Sequence, residues 1–220
     1  MSVGSSRGIK IILMKVIGLS GGIAAGKDFV AKIFADNGVL VFDADKEVHN
    51  LLKSDKSTIE EIKKYFSRAV INEEIDRRIL GEIVFADDKK LKILESIIHP
   101  KVRKKTLDFL NQARISGKEI VVLNVPLLLE GDYKCDKTIA IISSLAIRKQ
   151  RFLEREKLLN PEEFLNKKEA LENKFNQIIL KQISDEERVK KADFVIDSSG
   201  SKDEVEKAVT DLILNFFNKL

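Results

Sequence analysis

The feature that most constrains this chain lies within residues 16–30. Residues 16–19 form an apolar run typical of the end of a buried strand, and Gly21-x-x-x-x-Gly26-Lys27 follows it. After the lysine, apolar side chains recur at helical spacing, at Phe29, Val30, Ile33 and Phe34. A strand, a glycine-containing loop and a helix are the context in which this motif forms a phosphate-binding loop. The alternative is an ordinary glycine-rich turn between a strand and a helix.

The chemistry of phosphate binding explains why the loop needs these residue types. Gly21, Gly22 and Gly26 allow backbone torsions that a Cβ would forbid, so the loop N–H groups can point at phosphate oxygens. The positive end of the helix dipole and the charge of Lys27 add attraction for the phosphates. The predicted nucleotide-binding residues are Gly21, Gly22, Ile23, Ala24, Ala25, Gly26, Lys27, Asp28 and Phe29.

The residue after the lysine departs from the motif. A Ser or Thr normally stands there and holds Mg²⁺ through its hydroxyl group, whereas this chain has Asp28. A carboxylate can ligate Mg²⁺, but it also brings negative charge toward a triphosphate. We therefore predict Asp28 as a Mg²⁺ ligand, with Mg²⁺ as the cofactor that accompanies the bound nucleotide.

Composition limits the class of protein. The chain has 220 residues, of which 44% are hydrophobic and 34% charged, which fits a globular domain with small inserted lobes. A single cysteine, Cys135, excludes an internal disulfide and indicates a reducing cytoplasm, and two histidines leave no structural zinc site. No apolar run reaches membrane-spanning length. Residues 1–13 are interpreted as an N-terminal extension rather than a signal peptide.

Charge does not indicate a nucleic-acid partner. The net charge is only +4, the two signs are interleaved, and the chain has no Trp. The basic run at residues 101–105 is interpreted as the solvated face of a helix whose apolar stripe begins at Val102. We expect no nucleic-acid partner and no membrane association. The sequence leaves open whether the protein is a monomer or a small homo-oligomer.

Hydrophobic patterning predicts an α/β fold with a parallel sheet. Solid apolar runs indicate strands at about 11–20, 39–42, 120–125, 138–142 and 194–196, and amphipathic helices separate them. A long region before residue 119 is predicted to be helical with no strand, and Pro100 is predicted to open a helix in its first turn. Such sheets bind ligands at the carboxyl ends of their strands, where Asp43 and Asp45 follow the second strand.

The order of elements favours transfer of a phosphoryl group to a small molecule. A helical insert follows the second strand, and a charged helical segment that contains Arg148, Arg151 and Arg155 follows the fourth. A lid of this kind excludes water and brings positive charge to the reaction, although an exposed helix face is the alternative. Asp45 is the candidate base for the attacking hydroxyl, and the alternative is a helix N-cap, a role that Asp43 could fill instead.

From about Met14 to its C-terminus, the chain resembles the dephospho-CoA kinases. The matching segments include Gly18-Leu-Ser-Gly-Gly-Ile, Asp43-Ala-Asp45, Asp76-Arg77-Arg78, Leu94-Glu-Ser-Ile-Ile-His99-Pro100, Pro126-Leu-Leu-Leu-Glu130 and Ala192-Asp-Phe-Val-Ile-Asp197. Many proteins share the phosphate loop, but the combination of these segments in this order is much more specific.

The resemblance implies a P-loop kinase fold in three parts. These are a nucleotide-binding core (14–44, 118–150 and 189–220), a helical acceptor-binding domain (45–117) and a helical lid (151–188). It implies transfer of the γ-phosphoryl group of ATP to the ribose 3′-hydroxyl of dephospho-CoA, the last step of coenzyme A synthesis. For catalysis, the resemblance implicates Asp45 as base and metal ligand, with Lys27 and Arg155 as catalytic cations. It places Gln182 at the end of the lid. The residues that it implicates in acceptor binding are Arg77, His99, Pro126, Leu127 and Glu130. For His99, bracing of the following helix is the alternative.

Several positions depart from the family pattern. Ala24, Ala25 and Asp28 stand where Gly, Ser and Ser or Thr are usual, Asn124 stands where many relatives carry Asp, and Ser198 replaces the usual Asn. The lid segment at 156–176 is also longer. We hypothesise that the carboxylate has moved from position 124 to position 28. The competing interpretations are another nucleoside or nucleotide kinase of this fold and a degenerate ATP-binding protein without turnover.

Overall fold

The computed structural model describes residues 14–126, 128 and 133–217. Its elements in chain order are β1 (Lys15–Gly21), α1 (Lys27–Asp36), β2 (Leu40–Asp43), α2 (Ala44–Ser54), α3 (Lys56–Tyr65), a 3₁₀ turn (Ser67–Ala69), β3 (Val70–Ile71), β4 (Glu74–Ile75), α4 (Arg77–Phe85), α5 (Asp88–Ile115), β5 (Ile120–Asn124), β6 (Lys137–Ile142), α6 (Leu145–Leu159), α7 (Phe164–Lys181), α8 (Asp185–Lys191), β7 (Phe194–Asp197) and α9 (Lys202–Phe217).

The predicted five-stranded parallel sheet is confirmed. Its strand order is β2-β5-β1-β6-β7, and every neighbouring pair is parallel. All five residues of β5 are buried because helices cover the sheet on both faces, which explains why its sequence is one unbroken apolar run. The register aligns Asp43 at the end of β2 with Asn124 at the end of β5. The polar residues that follow these strands therefore meet at one edge of the sheet.

Two apolar clusters hold the layers together. On one face, Val30 and Phe34 of α1 and Val209 of α9 pack in a cluster with Leu19 and Val122. On the other face, residues of α2, α3, α4 and α5 pack in a cluster with Val16, Val121 and Leu123. Strands β1, β2 and β5 thus contribute to both clusters, because successive side chains point to opposite faces.

Two predictions for the helical region are wrong. Residues 70–75 form a small antiparallel hairpin of β3 and β4, although no strand was predicted before residue 119. Its central residues Asn72 and Glu73 have φ of 50° and 63°, as a tight turn of the I′ type requires. Strands of two residues are too short to give an alternating pattern, so the sequence offered no periodic signal for them.

The predicted helix start at Pro100 is also wrong. Helix α5 runs without interruption from Asp88 to Ile115, with Pro100 inside it. An interior proline costs roughly 3 kcal/mol, because it removes one helical hydrogen bond and crowds the preceding turn. Ile97 and Ile98 before it and Val102 after it are all buried in the same cluster. Packing on both sides therefore outweighs the local preference for a helix boundary.

Local capping residues set the ends of two further helices. The Ser144 hydroxyl accepts a hydrogen bond from the Ile147 N–H and caps α6, which ends just before Asn160-Pro161. Ser201 and Glu204 form a capping box at the start of α9. Among the described residues, no helix is long and apolar enough to cross a membrane.

Candidate active site

The loop between β1 and α1 has the backbone shape expected of a phosphate-binding loop. Gly26, at the N-cap of α1, has φ of 90°, which is a conformation that favours glycine. Ala24 also has positive φ, at 55°, where a side chain is tolerated at some cost in strain. At Gly22, a Cβ would lie 2.1 Å from a guanidinium nitrogen of Arg148, so a larger residue there would displace the Arg148 side chain from its position against the loop.

Side chains from distant parts of the chain hold the loop in place. The Ile23 N–H donates to Gln182 Oε1 at 2.9 Å, and Arg148 Nε donates to the Ile23 carbonyl at 2.9 Å. The Ser198 hydroxyl donates to the Ala25 carbonyl at 2.6 Å. The loop is therefore fixed from outside by residues that follow the fourth and fifth strands of the sheet.

The arginines of α6 have separate positions. Arg148 is buried and pairs with Asp185 at 3.1 Å, and its burial lowers the pKa of its guanidinium. Arg151 donates to the hydroxyl and the carbonyl of Ser198 at 3.1 and 2.6 Å. Arg155 lies at the cleft, with its side chain 54% exposed and its guanidinium 5.6 Å from the Phe152 ring centroid. Of the three, Arg155 has the most freedom to reach a ligand.

Lys27, Asn124 and Asp28 form a chain of hydrogen bonds. Lys27 Nζ donates to Asn124 Oδ1 at 2.6 Å, and Asn124 Nδ2 donates to Asp28 Oδ1 at 3.1 Å. An amide is required for this geometry, because it accepts at one end and donates at the other. Burial lowers the pKa of Lys27, and the nearby carboxylate of Asp28 opposes this effect. Asn124 and Asp28, two departures from the family pattern, are thus in direct contact.

Asp45 lies in the first turn of α2, close enough to Lys27 for the two charges to interact. The N-cap alternative belongs to Asp43, whose Oδ1 accepts a hydrogen bond from the Lys46 N–H at 3.1 Å. Desolvation raises the pKa of Asp45, and the Lys27 ammonium partly offsets this rise. A carboxylate with a raised pKa beside a phosphate loop is a suitable proton acceptor.

A cleft of about 780 Å³ brings the predicted nucleotide-binding and catalytic residues together. Its wall contains all nine residues from Gly21 to Phe29, together with Asp45 and Arg155. The wall also includes Phe85, Pro126, Arg151, Ile178, Lys181 and Gln182. Phe85 was missed as a site residue; it lies 78% exposed at the end of α4, with Lys174 Nζ of α7 5.9 Å from its ring centroid.

The predicted acceptor residues are divided between two further cavities. His99 and Pro126 line a pocket of about 380 Å³, hereafter the α2–α5 pocket. Arg77 lines a groove of about 960 Å³ and contacts His49 Nδ1 at 2.5 Å. Asp45 belongs to the cleft, the pocket and the groove alike. Leu127 and Glu130 lie outside the described residues.

The oxygen ligands available to a divalent cation near the cleft are few. Asp28 and Asp45 both line the cleft, and both lie near Lys27. In the part of the chain that the structure describes, no group of three His, Cys, Asp or Glu residues is arranged to hold a metal. Mg²⁺ is usually held by one or two carboxylates together with substrate phosphates and water, and Asp28 and Asp45 are the carboxylates of the cleft wall.

Comparison with known proteins agrees with this geometry. The dephospho-CoA kinase family model matches residues 15–204. The dephospho-CoA kinase of Bartonella quintana is 38% identical over 204 residues, covering 92% of this chain and 98% of the relative. That of Wolbachia pipientis wMel is 36% identical, covering 90% and 96%.

Solved structures give the same result for the fold. The dephospho-CoA kinase from Campylobacter jejuni superposes with a TM-score of 0.61 at 28% identity, covering 92% of this chain and 97% of that one. TT1252 from Thermus thermophilus superposes with a TM-score of 0.73 at 27% identity and the same coverage. The family-model match at residues 15–204 spans the phosphate loop, Asp45 after β2 and helix α6 with its three arginines, and the chain therefore belongs to the dephospho-CoA kinase family.

Proposed function

We propose that this protein is an ATP-dependent kinase that phosphorylates the ribose 3′-hydroxyl of dephospho-CoA, giving coenzyme A and ADP. The observation that carries the proposal is the position of Asp45. Its side chain lines the cleft of the phosphate loop and, at the same time, the two cavities on the acceptor side. A hydroxyl group held there would face both a proton acceptor and a bound γ-phosphate.

The residues have distinct roles in this reaction. The backbone of the phosphate loop and the Lys27 ammonium hold the phosphates, and Arg155 supplies positive charge from the lid side. The acceptor oxygen forms a bond to the γ-phosphorus while the bond from that phosphorus to the β–γ bridging oxygen breaks. The hydroxyl proton passes to the Asp45 carboxylate. Positioning and charge supply most of the catalysis in such transfers.

Mg²⁺ fits the residues present. When bound, the metal neutralises charge on the transferring phosphates. Asp28 and Asp45 would hold it, and Asn124 keeps the Asp28 carboxylate in place through its amide N–H. We propose that Asp28 replaces the carboxylate that position 124 lacks.

The proposed division of the chain into three parts follows from these roles of the residues. We propose a core of residues 14–44, 118–150 and 189–220, an acceptor-binding domain of residues 45–117 and a lid of residues 151–188. In this arrangement, Arg77, His99, Pro126, Leu127 and Glu130 belong to the acceptor side. Both proposed substrates are small anions. We propose the reducing cytoplasm as the location of the protein, because the chain has a single cysteine.

The test is ADP formation from Mg²⁺-ATP with and without dephospho-CoA. We expect strong stimulation by dephospho-CoA, and we expect it to be lost in Lys27→Ala and in Asp45→Asn. A substrate panel of nucleosides and nucleotides distinguishes another kinase of this fold. ATP binding without turnover on any acceptor would instead indicate the degenerate binder that Asp28 and Asn124 suggest.

A further inference from the structure

The α2–α5 pocket differs in composition from the nucleotide cleft. Most of its wall is apolar and comes from Ala44, Val48, Leu52, Leu94, Ile98, Val102, Val125, Pro126 and Tyr133. Its ionisable groups, apart from the Tyr133 phenol, are Asp45, Glu95, His99 and Arg103. The volume of about 380 Å³ is within the range of small-ligand sites. Such a wall suits an uncharged group with flat apolar faces and a few polar edge atoms.

The position of Asp45 decides which part of the acceptor can enter this pocket. If Asp45 receives the proton of the 3′-hydroxyl, the ribose lies at the mouth of the pocket. The group inside must then be attached directly to that ribose. In dephospho-CoA only two groups meet this condition, the purine base and the 5′-diphosphate with its pantetheine arm.

Charge excludes the diphosphate. The pocket offers one guanidinium, from Arg103, against the two carboxylates of Asp45 and Glu95. Placing the pantetheine arm on the apolar wall would also bring the diphosphate that joins it to the ribose toward these carboxylates. Like charges brought together in a partly desolvated pocket are strongly unfavourable. The purine base carries no charge and meets no such barrier.

Taking the proposed function as given, we propose that the α2–α5 pocket binds the purine base of the acceptor and that Glu95 accepts a hydrogen bond from its 6-amino group. Of the two carboxylates in the pocket wall, Asp45 is assigned to the hydroxyl proton, so Glu95 is the one left to accept a hydrogen bond from the base. The Tyr133 ring and the aliphatic side chains face the flat surfaces of the base. The diphosphate and the arm extend outside the pocket.

The first experiment measures base discrimination in the full chain. With saturating Mg²⁺-ATP, kcat/KM is determined for dephospho-CoA and for its hypoxanthine analogue, which has a carbonyl where adenine has the amino group. We expect the wild type to prefer adenine by about tenfold or more, because the carbonyl would face a carboxylate. Glu95→Gln should lose most of this preference, since an amide can donate as well as accept. Glu82→Gln, an identical change in the exposed ion pair with Arg78, should keep it.

The outcomes separate this inference from the proposed function. Absence of turnover on dephospho-CoA by the wild type would overturn the proposed function. Turnover with equal use of both acceptors, or with a preference that Glu95→Gln leaves unchanged, would overturn only the assignment of Glu95 and the pocket.

A second measurement uses the unaltered protein. With methyl-labelled Ile, Leu and Val residues and bound dephospho-CoA, nuclear Overhauser contacts from the purine H2 and H8 protons locate the base directly. Contacts to Leu52, Ile98 and Val102 support the proposal. Contacts to Val39 and Val41 in the larger groove, or contacts to neither set of methyl groups, contradict it.

Discussion

On the nucleotide side of Asp45, polar side chains hold the backbone of the phosphate loop, whereas on the other side the α2–α5 pocket has a mostly apolar wall. Gln182, Arg148 and Ser198 each make a hydrogen bond to the loop backbone. In the α2–α5 pocket, aliphatic side chains of α2 and α5 form most of the wall. Hydrogen bonds fix individual atoms, while apolar packing selects a shape. The difference suits a reaction in which the phosphates must be placed within fractions of an ångström and the acceptor must only be brought to Asp45.

The largest expected effect is at the boundary between the two sides. Asp45→Asn should lower kcat by about 10²–10⁴-fold, because the amide cannot take up the hydroxyl proton. In the wild type, activity should fall as pH decreases through the Asp45 pKa, which desolvation raises above the usual value of 3.8. Comparing pH–rate profiles of the wild type and the variant with dephospho-CoA measures both the loss of kcat and the dependence of activity on pH. An unchanged profile in the variant would show that Asp45 is not the base.

The same substitution should make the protein more stable. Because the folded pKa of Asp45 is raised, the folded protein binds this proton more tightly than the unfolded chain does. Stability therefore falls as pH rises from the unfolded value through the folded one, and the ionised carboxylate is a cost at neutral pH. We expect Asp45→Asn to raise the unfolding midpoint at pH 7 and to leave it unchanged at acidic pH. A lower midpoint at pH 7 would contradict this account.

The next prediction tests how much the buried polar side chains on the nucleotide side contribute to stability. Arg148→Ala removes the partner of Asp185 from a pair in which the arginine side chain is only 5% exposed. Breaking a buried pair of this kind costs about 3–5 kcal/mol in free energy of unfolding. Lys137→Ala is the matched control, because its ion pair with Asp193 is exposed, and such pairs contribute about 1 kcal/mol or less. Denaturant unfolding of both variants measures the difference, and equal losses would contradict a structural role for Arg148.

The two sides of Asp45 also show which features can be predicted from a sequence. The five strands were predictable because each is a solid apolar run, and the convergence of Lys27 and Asp45 followed from the rule that ligands bind at strand ends. The partners of the loop were not predictable. Ser198 and Ala25 are 173 residues apart, and no local pattern indicates which carbonyl a distant hydroxyl will reach. The interpretation of Pro100 as a helix start failed for a related reason, since burial of Ile98 and Val102 is a tertiary effect that overrides a local preference.

A smaller effect tests whether Asp28 and Asn124 act together. Asn124→Asp would place a carboxylate where the amide now donates to Asp28 Oδ1 at 3.1 Å, so activity should fall. Asp28→Ser should also lower activity, whereas the double variant should recover much of it. We expect a coupling energy of about 0.5–3 kcal/mol from kcat/KM values in a double-mutant cycle. If both single variants were as active as the wild type and the double variant no better, the two positions would not be coupled.

The smallest expected effect concerns the contact between α7 of the proposed lid and the end of α4. Phe85 at the end of α4 lines the nucleotide cleft, and the Lys174 ammonium of α7 lies 5.9 Å from its ring centroid. An exposed cation–π contact contributes roughly 0.5–1 kcal/mol, so Phe85→Ala should lower kcat/KM for ATP by about two- to fivefold. Its stability should hardly change, because the side chain is 78% exposed. Tyr65→Ala, at an exposed aromatic residue that does not line the cleft, is the control and should leave both quantities unaltered. An equal loss of kcat/KM in both variants would mean that Phe85 has no particular role in closing the lid over the nucleotide.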